Sequence, residues 1–394
     1  MFRSHLIAVG IPCVLLIAAF SNQSALNVWA QSPNTTSPIQ LIPRTKAQRE
    51  QKYEAEHRIS LIVQVTDSVS KPVSGLMAED FSVFDNQKPQ NIGTFREVDG
   101  KTFTADVHAV IVLDGINDGG SGIAHLKKDL GRYLSQGRGP LQFPISLAFV
   151  SENGETETPP STDRVVVSRH LAQLARLSHA ADCDLTIYAD SGHLSRGFGT
   201  QGQASTAEER ADCMNMHFAK SLNALRKLVG EQENVRGRAI LIWSGRGWPL
   251  LAEFGRPAVS QRGNYRDVLI ELNTSLREAQ VTLDAVSWGD FETPKNVLKP
   301  IMSVTVSVPG TPDEIAEEAM ALPALAQQNG GLVFPKVKNF ANAMSACLDD
   351  ASDFYVVTFD STPAAAADDF RAIEVKIDRP GANVRTASSY YAQP

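Results

Sequence analysis

The chain has 394 residues, 43% of them hydrophobic and 21% charged, the balance of an ordinary globular protein and not of a disordered one. That length leaves room for two or three domains with a sizeable core. A net charge of −7 with no basic cluster argues against a nucleic-acid partner.

Residues 1–30 read as a secretory signal. Arg3 supplies the positive start, residues 6–20 an apolar core too short to span a bilayer, and Val28-Trp29-Ala30 a cleavage site. Export to the periplasm or the extracellular space is therefore expected. Removing the signal takes away one arginine and no acid, so the mature charge is about −8. No later apolar stretch is long enough for a membrane span. Residues 31–56, with Pro33, Pro38 and Pro43 ahead of a charged run, read as a linker.

Three strands are expected next, at 59–65, 80–85 and 91–98, separated by turn-rich DSVSKPVSG and NQKP. Residues 107–114, VHAVIVLD, form a continuous apolar run ending on an aspartate, as in a parallel strand covered on both faces. A helix near 123–134 follows, its Ile123, Leu126, Leu130, Tyr133 and Leu134 sharing one face. Then come a strand at 145–151, an edge strand or hairpin through 155–160, and a helix opening near Asp163 that carries Val166, Leu171, Leu174 and Leu177. Thr206-Ala-Glu-Glu209 is a capping box for a helix to about Val229. Strand 239–243, a helix over 265–279 and strand 281–286 come next. A second capping box at 311–314 opens a helix that stops at Asn329-Gly330-Gly331. A short strand and a helix over 339–350 close this part. Three more β segments, at 353–360, 372–378 and 383–391, end the chain.

Repeated βα units with short loops predict a doubly wound, mainly parallel sheet. Three strands on either side of it would not make a stable sheet alone. The expected organisation is thus an α/β domain at 105–350 inserted into a small β-sandwich formed by 57–104 and 351–394. The alternative has the C-terminal strands extending the α/β sheet.

The carboxyl edge of an open α/β sheet is where ligands bind, and VHAVIVLDGIND places Asp114, Asn117 and Asp118 there. This stretch resembles the first strand and metal loop of a von Willebrand factor A domain, whose Asp-x-Ser-x-Ser pattern surrounds Mg²⁺. The matching positions are Asp114, Ile116 and Asp118. DFSVFDNQKPQNIGTF, GRAILIWSGRGWP and the ending DFYVVTFDS…YYA resemble segments of the von Willebrand factor A-related family described from acidobacterial genomes, over roughly residues 57 to 392. The resemblance implies the wound sheet, with a metal site that has lost ligands. Where metal-binding relatives place a third-loop aspartate, this chain has Ser244-Gly245-Arg246, and Thr200 aligns only loosely with the second-loop threonine. Asp114 and Asp118 could hold a divalent ion weakly. The competing reading has Asp114 cap the next helix or pair with Arg246. No cofactor is required by anything else in the chain.

Gly197-Phe-Gly199-Thr-Gln-Gly202 matches a dinucleotide fingerprint in letters, but no strand leads into it and no helix opens within it. Ser244 follows a strand, yet its surroundings are not the strained G-x-S-x-G elbow. Segment 243–256 presents Arg246, Trp248 and Phe254, residue types that dominate interfaces; the equal alternative is that its apolar residues roof the core. Cys183 and Cys213 are a candidate bridge worth ~3 kcal/mol by loop entropy, and Cys347 reads as a buried small residue. The resulting expectation is a non-enzymatic, exported protein-binding or adhesion module. A hydrolase centred on Ser244 and a structural component of an envelope assembly are the alternatives.

Overall fold

In the computed structural model, residues 57–99, 107–118, 120–174, 207–245, 259–287, 322–334 and 337–394 are described. They belong to one unit, Ile39–Pro394. The export segment, the linker, Cys183, Thr200, Arg246, Trp248, Phe254 and the capping boxes at 206 and 311 lie outside them.

A six-stranded sheet runs through the middle of the chain. Its strands are β5 (Val107–Asp114), β6 (Ile145–Ser151), β7 (Gly154–Glu157), β8 (Arg238–Gly245), β9 (Val281–Ser287) and β10 (Val333–Phe334). The spatial order is β10-β9-β8-β5-β6-β7, parallel except for the edge strand β7. All eight residues of β5 are buried, as the apolar run demands, because helices cover both faces. Ala109, Ile111 and Leu113 face one cluster with α1 (Gly120–Gln136), α2 (Arg164–Leu174) and α6 (Phe340–Asp350). Val110 and Val112 face the other with α3 (Ala207–Gln232), α4 (Val259–Glu278) and α5 (Leu322–Gln328). Each fully buried aliphatic side chain contributes roughly 1.5–3 kcal/mol.

The helices differ from expectation in detail. In α2 the buried residues are Val167, Leu171 and Leu174. Val167, not Val166, has the i, i+4, i+7 spacing that keeps it on the stripe with the other two. The helix α4 starts at Val259, six residues before the expected start at 265, and continues through Gly263 despite the weak helix propensity of glycine. Among the described residues no helix is long and apolar enough to cross a membrane.

The flanking segments form two four-stranded antiparallel sheets. One holds β1 (Arg58–Thr66), β4 (Ile92–Asp99), β11 (Asp353–Asp360) and β13 (Asn383–Arg385) in the order β13-β1-β11-β4. The other, ordered β14-β12-β2-β3, holds β2 (Phe81–Asp85), β3 (Lys88–Gln90), β12 (Asp369–Ile377) and β14 (Ser389–Ala392). Both draw strands from before and after the six-stranded sheet, with Leu61 opposite Val357 and Val83 opposite Val375. Ile59, Leu61, Phe81, Val83, Phe359 and Ile373 of the two sheets share one apolar cluster. β11 serves two cores. Tyr355, Val357 and Phe359 enter this cluster, while Phe354 and Val356 turn toward α1 and α6.

Two β features were not expected. The second half of NQKP already belongs to strand β3, where Pro89 sits opposite Phe84 at the sheet edge. Proline is tolerated there because no ladder bond is lost, and Asn86 and Gln87 make the tight turn at φ 45° and 65°. Residues 383–391 are not one strand. β13 pairs with β1 and β14 with β12, and between them the Ser388 N–H donates to the carbonyl of Gln328 at 3.0 Å. The chain thus crosses from one sheet to the other by leaning on the end of α5.

Candidate functional site at the sheet rim

The strand order reverses at β5, with β6 and β7 on one side and β8, β9 and β10 on the other. Open α/β sheets place their ligand crevice outside the carboxyl ends at such a reversal. Asp114 ends β5 there, and Leu113 lies in register with Ser244 of β8.

Asp114 is fully buried and surrounded by N–H donors. Its Oδ1 accepts from the backbone of Ile116 at 3.1 Å and Asn117 at 3.0 Å. Its Oδ2 accepts from Asn117 Nδ2 at 2.7 Å and from the Trp243 indole Nε1 at 2.9 Å. Burial pushes the Asp114 carboxyl up, and these bonds from Asn117, Trp243 and Ile116 pull it back. Asn117 Nδ2 also donates to Ser221 Oγ at 2.8 Å, which ties the loop after β5 to α3. Asp118 is buried beside them, its N–H donating to the Asp114 carbonyl at 3.3 Å.

Gly245 permits this approach. A Cβ there would stand 2.9 Å from Asp114 Cβ and 3.2 Å from Asp118 Oδ2. Any side chain at Gly245 would therefore crowd both carboxylates. Ile116, at the second position of the loop, packs in the apolar cluster with Trp243. A cation at Asp114 would have to displace an N–H donor from a buried oxygen, so this donor set does not fit Mg²⁺, which needs oxygen ligands in octahedral array. Among the described residues no three His, Cys, Asp or Glu side chains gather to hold a metal. Ile116, Asn117 and Trp243 supply the hydrogen bonds of Asp114, while Arg246, the ion-pair partner considered from the sequence, lies outside the described residues.

Trp243 is the residue sequence reasoning missed. Its parity was a signal: it lies beside Val112 in register, two residues before Asp114 on the same face, and a buried indole N–H seeks an acceptor. Trp243→Phe is expected to cost about 2 kcal/mol, the value of a bond to a charged group. Urea unfolding at pH 7.5 measures this. Because the lost bond favours the ionised carboxylate, the deficit should shrink in acid; a pH-independent deficit would mean packing alone is at stake.

Ser244 is fully buried within β8, and its Oγ has no hydrogen-bond partner among the described residues. β8 continues past it to Gly245 in register with Ser287, so no tight turn exposes the hydroxyl. His108 sits at the opposite end of β5, its Nε2 2.6 Å from Gln232 Oε1, and burial lowers its proton affinity. Among the described residues no side chain is within hydrogen-bond distance of the Ser244 hydroxyl. Cys213 is disulfide-bonded, its partner outside the described residues, and Cys347 is a free, buried thiol. Cys347 is not in wholly apolar surroundings, because the Asp284 carboxyl lies against it.

No family model matches the chain, and no curated protein does. Among solved structures, the crystal structure of the human COPII-coat protein Sec24c is similar to it at 8% identity and a TM-score of 0.29, over 73% of this chain and 44% of that one.

Proposed function

We propose that this chain is an exported, non-enzymatic protein-binding module that engages its partner through the loops at the carboxyl rim of the six-stranded sheet, independently of any bound ion. On this reading the sheet is a doubly wound, von Willebrand A-like domain set into a β-sandwich built from both chain ends, as the resemblance to the von Willebrand factor A-related family implies. The observation that carries it is the Asp114 network. At the position where a ligand crevice is expected, hydrogen bonds among Asp114, Trp243, Asn117 and Ser221 hold the loop after β5 to β8 and α3. A rim fixed in this way is preorganised, which reduces the ordering cost of binding.

The test is affinity capture from envelope extracts on the mature chain, with and without EDTA. Capture should survive EDTA. Trp248→Ala should weaken it about tenfold or more, as for an aromatic hot spot, at unchanged melting temperature. Loss of capture in EDTA would overturn the ion-independent reading. Labelling of Ser244 by a serine-reactive probe would overturn the non-enzymatic one.

A further inference from the structure

On the opposite, amino-end side of the sheet a cavity of about 390 Å³ opens between α1 and α6, within the size range of small-molecule sites. Leu141, Phe143 and Leu348, all buried, line its floor. Tyr133, Arg164 and Asp349 stand around it. None of these residues belongs to the Asp114 network, and nothing in the proposed partner site uses them.

Arg164 is fixed in place. Its guanidinium carbon lies 5.7 Å from the centroid of the Tyr133 ring, and Nε donates to the carbonyl of Gly139 at 3.2 Å. The guanidinium lies against Gly137, where a Cβ would fall 2.1 Å from Arg164 Cζ; any side chain at 137 would expel it. Nη1 is shielded from solvent and has no hydrogen-bond partner among the described residues. A guanidinium held this way with donors to spare is suited to a planar carboxylate.

Asp349, exposed at the mouth, makes no ion pair with Arg164. Both charges nevertheless act on the same phenol. Burial holds the Tyr133 hydroxyl above its usual range, Arg164 draws it down and Asp349 raises it. A positive and a negative group therefore line one cavity, over an apolar floor, without pairing with each other. A simple anion would meet Arg164 but be repelled by Asp349. A molecule carrying both charges satisfies both.

We infer that this cavity binds a small zwitterion, an α-amino acid with an apolar side chain, whose carboxylate meets Arg164, whose ammonium meets Asp349 and whose side chain lies on Leu141, Phe143 and Leu348. The probes are L-leucine and L-phenylalanine, titrated calorimetrically into the mature full chain, with leucinamide lacking the carboxylate and N-acetyl-L-leucine lacking the ammonium. Saturable heat is expected from both amino acids, with each blocked form bound about tenfold more weakly, the loss of one charged contact. Arg164→Gln should abolish the preference for leucine over leucinamide. Ser345→Trp, which fills the cavity from α6, should abolish binding at unchanged melting temperature. The inference is overturned if neither amino acid gives saturable heat up to about 10 mM, tenfold above a millimolar dissociation constant. Equal binding of leucine and leucinamide would also overturn it, because the floor alone would then be responsible.

Discussion

Arg238→Ala is expected to destabilise the fold by about 3–5 kcal/mol, the loss that follows when one partner is removed from a buried set of charges. Arg238 opens β8 and is almost completely enclosed, with 1% exposure. Its Nε and Nη2 donate to Thr282 Oγ1 at 3.2 and 3.0 Å. Its Nη1 reaches the carbonyl of Asp350 at 3.4 Å, and the Asp350 carboxylate lies 3.9 Å from Nη2. The guanidinium also lies over the Phe354 ring at 4.6 Å. Burial lowers its proton affinity to about 10, which leaves it charged at neutral pH. Asp350 is in turn bound by Gln64 of β1 and Arg385 of β13. One cluster thus fastens the first antiparallel sheet, α6 and the six-stranded sheet together. Removing the guanidinium leaves Asp284 and Asp350 less compensated in a low-dielectric site and opens a void beneath Phe354. Urea unfolding at pH 7.5 measures the loss. A change below about 1 kcal/mol would indicate that water replaces the arginine without penalty and that the cluster does not join the layers. The double variant Arg238→Met, Asp284→Asn should lose less than the two single variants together, since it removes opposite charges that interact.

The parts of this molecule that were legible in the sequence are those whose cause is local. The unbroken apolar run of β5 required cover on both faces, and both faces are covered. The period-two burial of β12 followed from its alternating residues. The rim position of Asp114 followed from the same local pattern, a strand ending at a Gly/Asn turn. What was not legible depends on residues far apart in the chain. Arg238 at the start of a strand resembles an exposed end residue; only Thr282, Asp350 and Phe354, brought from three other elements, make it a buried one. The partner of Asp114 is likewise non-local, because Trp243 reaches it only when β8 lies beside β5. Residues 383–391 carry strand-forming side chains throughout, so nothing in them marks the point where the chain leaves one sheet for the other. That break is set by the end of α5, where Gln328 accepts the Ser388 N–H. The cavity beside Arg164 belongs to the same class, since its lining comes from α1, α2, α6 and the loop before β6.

The second large effect concerns pH. Asp284 lies in the middle of β9, fully buried, with Oδ1 accepting the Leu332 N–H at 2.7 Å. Burial, then repulsion by Asp350, raises its carboxyl to about 6, against opposing pulls from the Leu332 bond, Arg385 and Arg238. The ordinary value is 3.8, so the folded state keeps the proton while the unfolded state has already lost it. This group's contribution to stability is therefore complete below pH about 4 and declines as pH rises to about 6, levelling above that. The difference between 3.8 and about 6 corresponds to about 3 kcal/mol, at about 1.4 kcal/mol for each tenfold change in proton affinity. Asp284→Asn keeps the oxygen that accepts from Leu332 and removes the charge. Relative to the native chain, it should be nearly neutral at pH 4 and more stable by about 3 kcal/mol at pH 7.5. Glu157, raised to about 7 chiefly by burial, loses its contribution over a higher window. His108, lowered by burial, loses its contribution as pH falls. Both are present in variant and native chain, so the difference between their pH–stability curves isolates Asp284. Two parallel curves would mean that Asp284 ionises in the fold as it does in water, and that Arg238 and Arg385 compensate it completely.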